Sequence, residues 1–413
     1  MSNPAAIIDV GTGYTKMGLS TNTSPQYIIP TMLGERDKTL TSSSITKKQG
    51  LDELDFLIGD EAFENQKAYP PTRFMDHAIV SDWDKMEKFY EQCYYRYLRI
   101  NPEEHPVILT EPPLNTPENR EYLAEVMFET FNVPQMYIAV QAVLAMCSTW
   151  ISKHQVNKTL TGTVIDSGDG VTHIIPVSDG SVIPSAIKHI PIAGGDLTKF
   201  ILDNLRERGE VIPQDEMLTI ARAIKEQNCY VTSDIVKEFN LYDQKPDEYF
   251  KTFEGINRVT KKPFSVGVGY ERFLAPEVFF NPNILSADYT VPVPMLVDQA
   301  IQQSPIDCRR PLYGNICLSG GSTMFKHFDR RMQKEIQKLV DERLDAAEKR
   351  TGAKPTPIDV KVIGTKYQRF AVFFGGSMIA SSETFPTLCK TKAQYDEYGP
   401  AICRSSATFS SLV

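Results

Sequence analysis

The sequence predicts an α/β protein of two related halves around one cleft, each half carrying a smaller inserted subdomain. Three observations lead there. Short aliphatic strands alternate with amphipathic helices over the stretch before Trp150, the pattern of a sheet with crossover helices. An acidic-glycine hairpin recurs, with Asp9, Gly11 and Gly13 superposing on Asp166, Gly168 and Gly170. And 413 residues exceed the size at which one core stops growing, so about 150 residues per domain gives two or three.

Each element follows in order. Ala5 to Ile8 is a short apolar run ending at Asp9, and Val10-Gly-Thr-Gly13 is the turn expected behind a buried strand, with a second strand over Tyr14 to Leu19. Thr31 to Tyr69, polar and β-branched at Thr39 to Ser44, reads as a small insertion with a mobile loop. Ser81-Asp82 caps a helix whose apolar face is Trp83, Met86, Phe89, Tyr90, Cys93 and Tyr97. The strand Pro106 to Leu109 leads to a helix opened by Thr116-Pro117 and stopped by Asn132, and Met136 to Ala139 leads to a helix over Gln141 to Trp150.

The second half repeats the opening: Thr163-Val-Ile165, then Asp166-Ser-Gly-Asp-Gly170, then a strand over Val171 to Val177. From Asp196 to Glu277 helix signals and charge dominate, with helices expected over Leu197 to Arg206, Pro213 to Gln227 and Asp234 to Asn240. A strand at Asn315 to Leu318 opens a glycine cluster and then a long helix from Phe328 towards Leu344, broken at Gly352, Pro355 and Pro357. Gly375-Gly-Ser377 reads as a packing turn.

Composition narrows the function. With 44 Lys and Arg against 52 Asp and Glu, the formal charge of -8 gives no global attraction to nucleic acid or anionic membranes, and pairs such as Lys47-Lys48 and Lys261-Lys262 read as solvated loops. Met1 to Ile8 lacks a basic signal region, and the most apolar stretches fall short of the roughly 20 residues that span a bilayer. A soluble, cytoplasmic chain is expected. Its seven cysteines show no C-x-x-C spacing, so reduced, mostly buried thiols are expected rather than disulfides or zinc.

The chemistry concentrates at the glycines. A hairpin tip of small residues offers backbone N–H groups to phosphate oxygens, and a carboxylate at its start can hold hydrated Mg²⁺. In the first tip Thr12 adds a hydroxyl and Lys16 a point charge; in the second, Asp169 adds an acid and His173 lies on the adjoining strand. Two such tips facing each other would clamp a triphosphate. In Leu318 to Phe325, adjacent Gly320 and Gly321 permit close approach and Met324-Phe325 offer a cover for a flat base, although a plain strand-to-helix turn explains the same residues. Lys225-Glu226 suits a ribose or adenine edge, or is simply a solvated pair. Gln141, at a strand-to-helix junction, must find partners for its amide and could orient a water. No P-loop or nucleophile elbow is present.

With these pieces in order the chain resembles the actin family nearly end to end. The motifs are Asp9 to Gly13, Glu111-Pro-Pro-Leu-Asn115, Met127 to Phe131, Gln141 to Leu144, Asp166 to His173, Ser319 to Met324 and Gly375 to Ser377. Within the family, Leu51 to Glu61, Pro117 to Tyr122, Thr159 to Thr163, Lys188 to Pro191, Gly269 to Leu274 and Ala401 to Arg404 are similar to a branch of actin-related proteins, which also has extra residues around Lys153 to Lys158.

The resemblance implies an actin-like ATPase fold holding ATP or ADP with Mg²⁺. Asp9, Gly11, Thr12, Gly13, Tyr14 and Lys16 would form one phosphate hairpin and Asp166, Gly168, Asp169, Gly170 and Val171 the other, with Asp9 and Asp169 reaching the metal through water. Lys225, Glu226, Gly320, Gly321, Ser322, Met324, Phe325 and Arg369 would hold adenosine, and Gln141 and His173 fall where attacking water is oriented. It also implies four subdomains: 1–30, 73–150 and 371–413; 31–72; 151–192 and 278–370; 193–277. Three positions depart from the family pattern. Gly195 stands where a Gly-Arg-Asp run has arginine, Arg369 replaces a lysine, and Phe325 replaces a tyrosine.

The branch resemblance further implies a subunit of a complex that nucleates branched actin filaments. Its partners would be a second actin-related protein, further subunits, the side of an actin filament and daughter-filament actin. A nucleation-promoting activator would seat an amphipathic helix near Ile379 and Leu388, unless both merely complete the core. ATP would act as a structural and regulatory ligand, hydrolysed slowly if at all. The rivals are a conventional filament-forming actin, a sugar kinase, which would need a further catalytic carboxylate, and an Hsp70-like chaperone, which would need a further domain.

Overall fold

The computed structural model describes residues 3–36, 55–76, 78–151, 159–258 and 260–405. Lys47-Lys48, the loop at Thr39 to Ser44 and the residues Lys153 to Lys158 lie outside them. The chain divides into two compact units, Met1–Ile151 with Gly180–Pro184 and Phe370–Val413, and Ser152–Asp179 with Ser185–Arg369.

The first unit is built on β1 (Ala6–Val10), β2 (Tyr14–Leu19) and β3 (Tyr27–Pro30). β1 is buried along its whole length, which is why it reads as an unbroken apolar run with one carboxylate, Asp9. α1 (Trp83–Gln92) starts where Asp82 accepts from the Lys85 N–H; β4 (Val107–Glu111) follows. α2 (Pro117–Glu125) starts where Thr116 accepts from the Asn119 N–H, and β5 (Gln135–Val140) runs directly into α3 (Gln141–Cys147). The strand order is Lys390–Thr391, β5, β4, β1, β2, β3. β1, β4 and β5 are parallel, as helical crossovers require.

Two details depart from the sequence expectation. α1 and α2 do not simply stop but widen into π-helical turns, Cys93–Leu98 and Val126–Thr130, where the Tyr94 hydroxyl donates to Met127 Sδ at 3.5 Å. Gly375-Gly-Ser377 is no turn. It sits inside a helix, Ala371–Ala380, that packs on α3 so closely that a Cβ at Gly375 would run into the Leu144 carbonyl.

The second unit repeats the plan. β6 (Gly162–Ser167), β7 (Thr172–Ser178) and β8 (Lys188–Ile190) are antiparallel neighbours, as β1, β2 and β3 are. α4 (Gly194–Glu207) and α5 (Met217–Asn228) come next, then β9 (Ile316–Ser319), α6 (Phe328–Thr351) and β10 (Val362–Ile363). β6 pairs parallel with β9 and β9 with β10. The register repeats as well: Ala6 faces Val107 and Ile8 faces Leu109 in one sheet, Thr163 faces Ile316 and Ile165 faces Leu318 in the other.

Between α5 and β9 the structure adds what helix periodicity alone did not reveal, a hairpin of Lys251–Ile256 with Pro263–Val268. Lys261 and Lys262 are exposed near its turn, as expected of a solvated loop. Packed on Leu205, Ile220 and Ile224, its inward residues Val266 and Val268 give this part its own apolar cluster. α6 ends where Gly352 adopts a left-handed conformation, at the predicted break.

Candidate functional site

In the first unit the hairpin joining β1 to β2 is closed by the Gly11 N–H donating to the Tyr14 carbonyl at 3.2 Å, with the Thr31 N–H donating to the Gly13 carbonyl at 3.0 Å. Asp9, 1% exposed, faces Lys16 across the strands. Its Oδ2 accepts from Lys16 Nζ at 3.1 Å; its Oδ1 accepts from Thr110 Oγ1 at 2.7 Å and from Gln141 Nε2 at 3.1 Å. These bonds hold the buried carboxylate in one orientation. Gln141 is therefore oriented by its amide nitrogen, at the junction where β5 becomes α3. Thr12 Oγ1 accepts from the Ala78 N–H at 2.9 Å, tying the tip to residue 78. Thr110 was not anticipated; the signal was its place at the C-terminal end of the central strand β4, next to Glu111.

In the second unit Asp166 faces His173, the counterparts of Asp9 and Lys16, and His173 faces His189 on β8. The His173 and His189 rings lie 6.3 Å apart. Burial, with the neighbouring imidazole adding, pushes the His173 pKa down to about 4, so the ring is neutral at physiological pH. The tip at Gly168 to Gly170 is held from outside: the Gly168 carbonyl accepts from Ser322 Oγ at 2.6 Å and from the Gly194 N–H at 3.0 Å, and the Asp169 carbonyl accepts from the Gly195 N–H at 2.8 Å.

The glycine cluster after β9 thus meets the second hairpin. Gly320 needs its positive φ of 87°, and a Cβ there would strike the Ser167 carbonyl. A 3₁₀ turn, Gly321–Thr323, stands between β9 and α6, so the cluster does not open the long helix directly. Phe325 is half-buried against the Leu205 cluster and Met324 is exposed. Gln368 bonds Thr323 and the Gly320 N–H, placing exposed Arg369 beside this turn.

Lys225 corrects the solvated-pair alternative. Glu226 is exposed, but Lys225 is 6% exposed and donates to the Gly194 carbonyl at 2.6 Å and Thr198 Oγ1 at 3.0 Å. Among the described residues no carboxylate lies within 4 Å of its ammonium. Burial lowers its pKa, and Asp169 is the first acid acting against that. Arg222, one turn before it on α5, reaches Asp169 at 3.9 Å and was also not anticipated. In the second unit, the buried Lys225 ammonium on uncharged acceptors and a glycine tip with open space on the Cβ side of Gly168 suit an anionic ligand. Val171 continues this tip into β7. Ile379 and Leu388 are half-buried near the end of the first unit.

The family model described as Actin matches residues 1–219 and 213–407, and this chain belongs to the actin family. The duplicated hairpin on a duplicated sheet is the form that membership takes here. The relatives it resembles closely are actin-related protein 3 from Drosophila melanogaster, 54% identical over 99% of each chain, and from Dictyostelium discoideum, 55% identical over 97% of this chain and 96% of the other. Actin-related protein 3 of Acanthamoeba castellanii is 56% identical over 99% and 98%.

Proposed function

We propose that this chain is an ATP-binding subunit of a multi-subunit complex that nucleates branched actin filaments in the cytoplasmic actin cytoskeleton. It would pair with a second actin-related protein and imitate neighbouring actin protomers, so that a daughter filament grows from the pair. The observation that carries the reading is the end-to-end similarity to actin-related protein 3 of distant organisms.

Bound Mg-ATP supplies a polyphosphate and a divalent charge on which two hairpins can close. Lys16 and the amides of Gly11 to Tyr14 would hold phosphate on one side, those of Gly168 to Val171 on the other, with Asp9 and Asp169 taking the metal through water. Asp166 would stand behind the second tip. Lys225, Glu226, Gly320, Gly321, Ser322, Met324, Phe325 and Arg369 would hold the nucleoside. Gln141, fixed by Asp9, and neutral His173 suit the orientation of a water, whose attack would be slow; closure of the site rather than turnover would be the output. An activator helix would seat near Ile379 and Leu388.

The test is purification of the chain from its own cytosol with its associated subunits, followed by actin assembly with an activator present. A shortened lag with branched filaments is expected, and Asp9→Ala or Asp169→Ala should weaken both Mg-ATP retention and activation. A lone monomer without effect on the lag would overturn the reading, and rapid ATP consumption with a small acceptor would favour a kinase.

A further inference from the structure

The turn that follows β9 has a dry back and a wet front. Ser322 and Thr323 are buried, whereas Met324 is exposed and a Cβ at Gly321 would meet nothing within 4 Å. The back is held by a residue from another part of the chain, buried Gln368 in the segment after β10, which grips the turn at both ends. Its carbonyl accepts from the Gly320 N–H at 3.0 Å. Its side-chain amide donates to the Thr323 carbonyl at 2.8 Å and to Thr323 Oγ1 at 2.6 Å, so both amide hydrogens are used. Thr323 Oγ1 donates in turn to the Gly320 carbonyl at 2.8 Å, which closes the set. A carbonyl only accepts, so the nitrogen of the amide and not its oxygen must face Thr323.

We infer that Gln368 is a positioning residue for the nucleoside of the proposed Mg-ATP site, on which this inference rests: its amide fixes the buried back of the turn and so sets where Gly321, Ser322 and Met324 meet the ligand. The bond to the Gly320 N–H comes from backbone and survives substitution. The two bonds to Thr323 need glutamine. Without them a buried carbonyl and a buried hydroxyl lose their donor, and the turn must shift until water reaches them. Ser322 would move with it and loosen its bond to the Gly168 carbonyl. The phosphate hairpin keeps its other bonds, from the Gly194 and Gly195 N–H groups, so the loss falls on the nucleoside and spares the phosphates.

The test compares Mg-ATP with magnesium tripolyphosphate, which carries the phosphates without the nucleoside, by calorimetric titration of the full chain in its complex. Gln368→Ala, and Gln368→Glu with an oxygen set against the Thr323 carbonyl, should weaken Mg-ATP by about tenfold, the usual effect of losing two hydrogen bonds, and leave tripolyphosphate within about twofold. Thr323→Val keeps the shape and the carbonyl but removes the hydroxyl, and should weaken Mg-ATP by about threefold. It carries the test if the Gln368 variants do not assemble. Equal losses for both ligands would mean general damage to the unit and would overturn the inference, as would unchanged Mg-ATP binding in the variants. A parent that binds neither ligand would instead sink the proposed function.

Discussion

Asp9 and Asp166 occupy the same place in duplicated hairpins, yet the residue opposite each differs in kind. Lys16 completes an ion pair with Asp9, whereas His173 stays neutral down to about pH 4. The unfolded chain binds a proton on this histidine below about pH 6.5 and the folded chain does not, so its contribution to stability is intact above 6.5 and lost as the pH falls towards 4. The loss should reach about 2 kcal/mol at pH 5. Comparing melting temperatures of the parent and His173→Asn at pH 7.5 and 5 checks this: the variant should lose less on acidification, and parallel curves would disprove it. At this scale the sequence was readable where a tight turn fixes the backbone, in Asp9, Gly11, Asp166 and Gly168. Thr110, Arg222 and the burial of Lys225 were not readable, because each is defined by a partner far away in the chain.

Elements were readable where one face is apolar and the other wet. α1, α2 and α6 stand where the 3.6-residue period and the caps put them. The helix Ala371–Ala380 is nearly all buried, so it has no period, and its adjacent glycines resemble a break. Their purpose is close crossing. Gly375→Ala should therefore destabilise the first unit by about 3 kcal/mol or more, since the clash is with backbone that cannot rotate away. A drop of at least roughly 6 °C in melting temperature is expected; an unchanged value would mean that the helices do not cross at this glycine.

For the whole molecule, the duplication was legible from two turns, and the structure extends it to strand order and register. Cysteine usage belongs to this scale too. Six of the seven thiols are buried and all are free. Burial raises Cys147, Cys229 and Cys389 to about 12 and Cys403 to about 11, and raises half-buried Cys308 as well. A disulfide reagent at pH 8 should modify Cys308 quickly and the other six only after denaturant is added. Fast modification of several thiols in the native protein would contradict this core.

The sheet strand Lys390–Thr391 and the helix Ala371–Ala380 complete a unit whose other strands lie before Ile151. During synthesis, those early strands must leave the ribosome and wait while roughly 200 residues of the second unit are translated, about 10–40 s at ordinary elongation rates. Over that interval Leu144 lacks the helix that covers α3, and β5 is an open sheet edge. The nascent chain is then an aggregation hazard that its finished form does not show, and a shield over that edge would be needed before the last helix arrives.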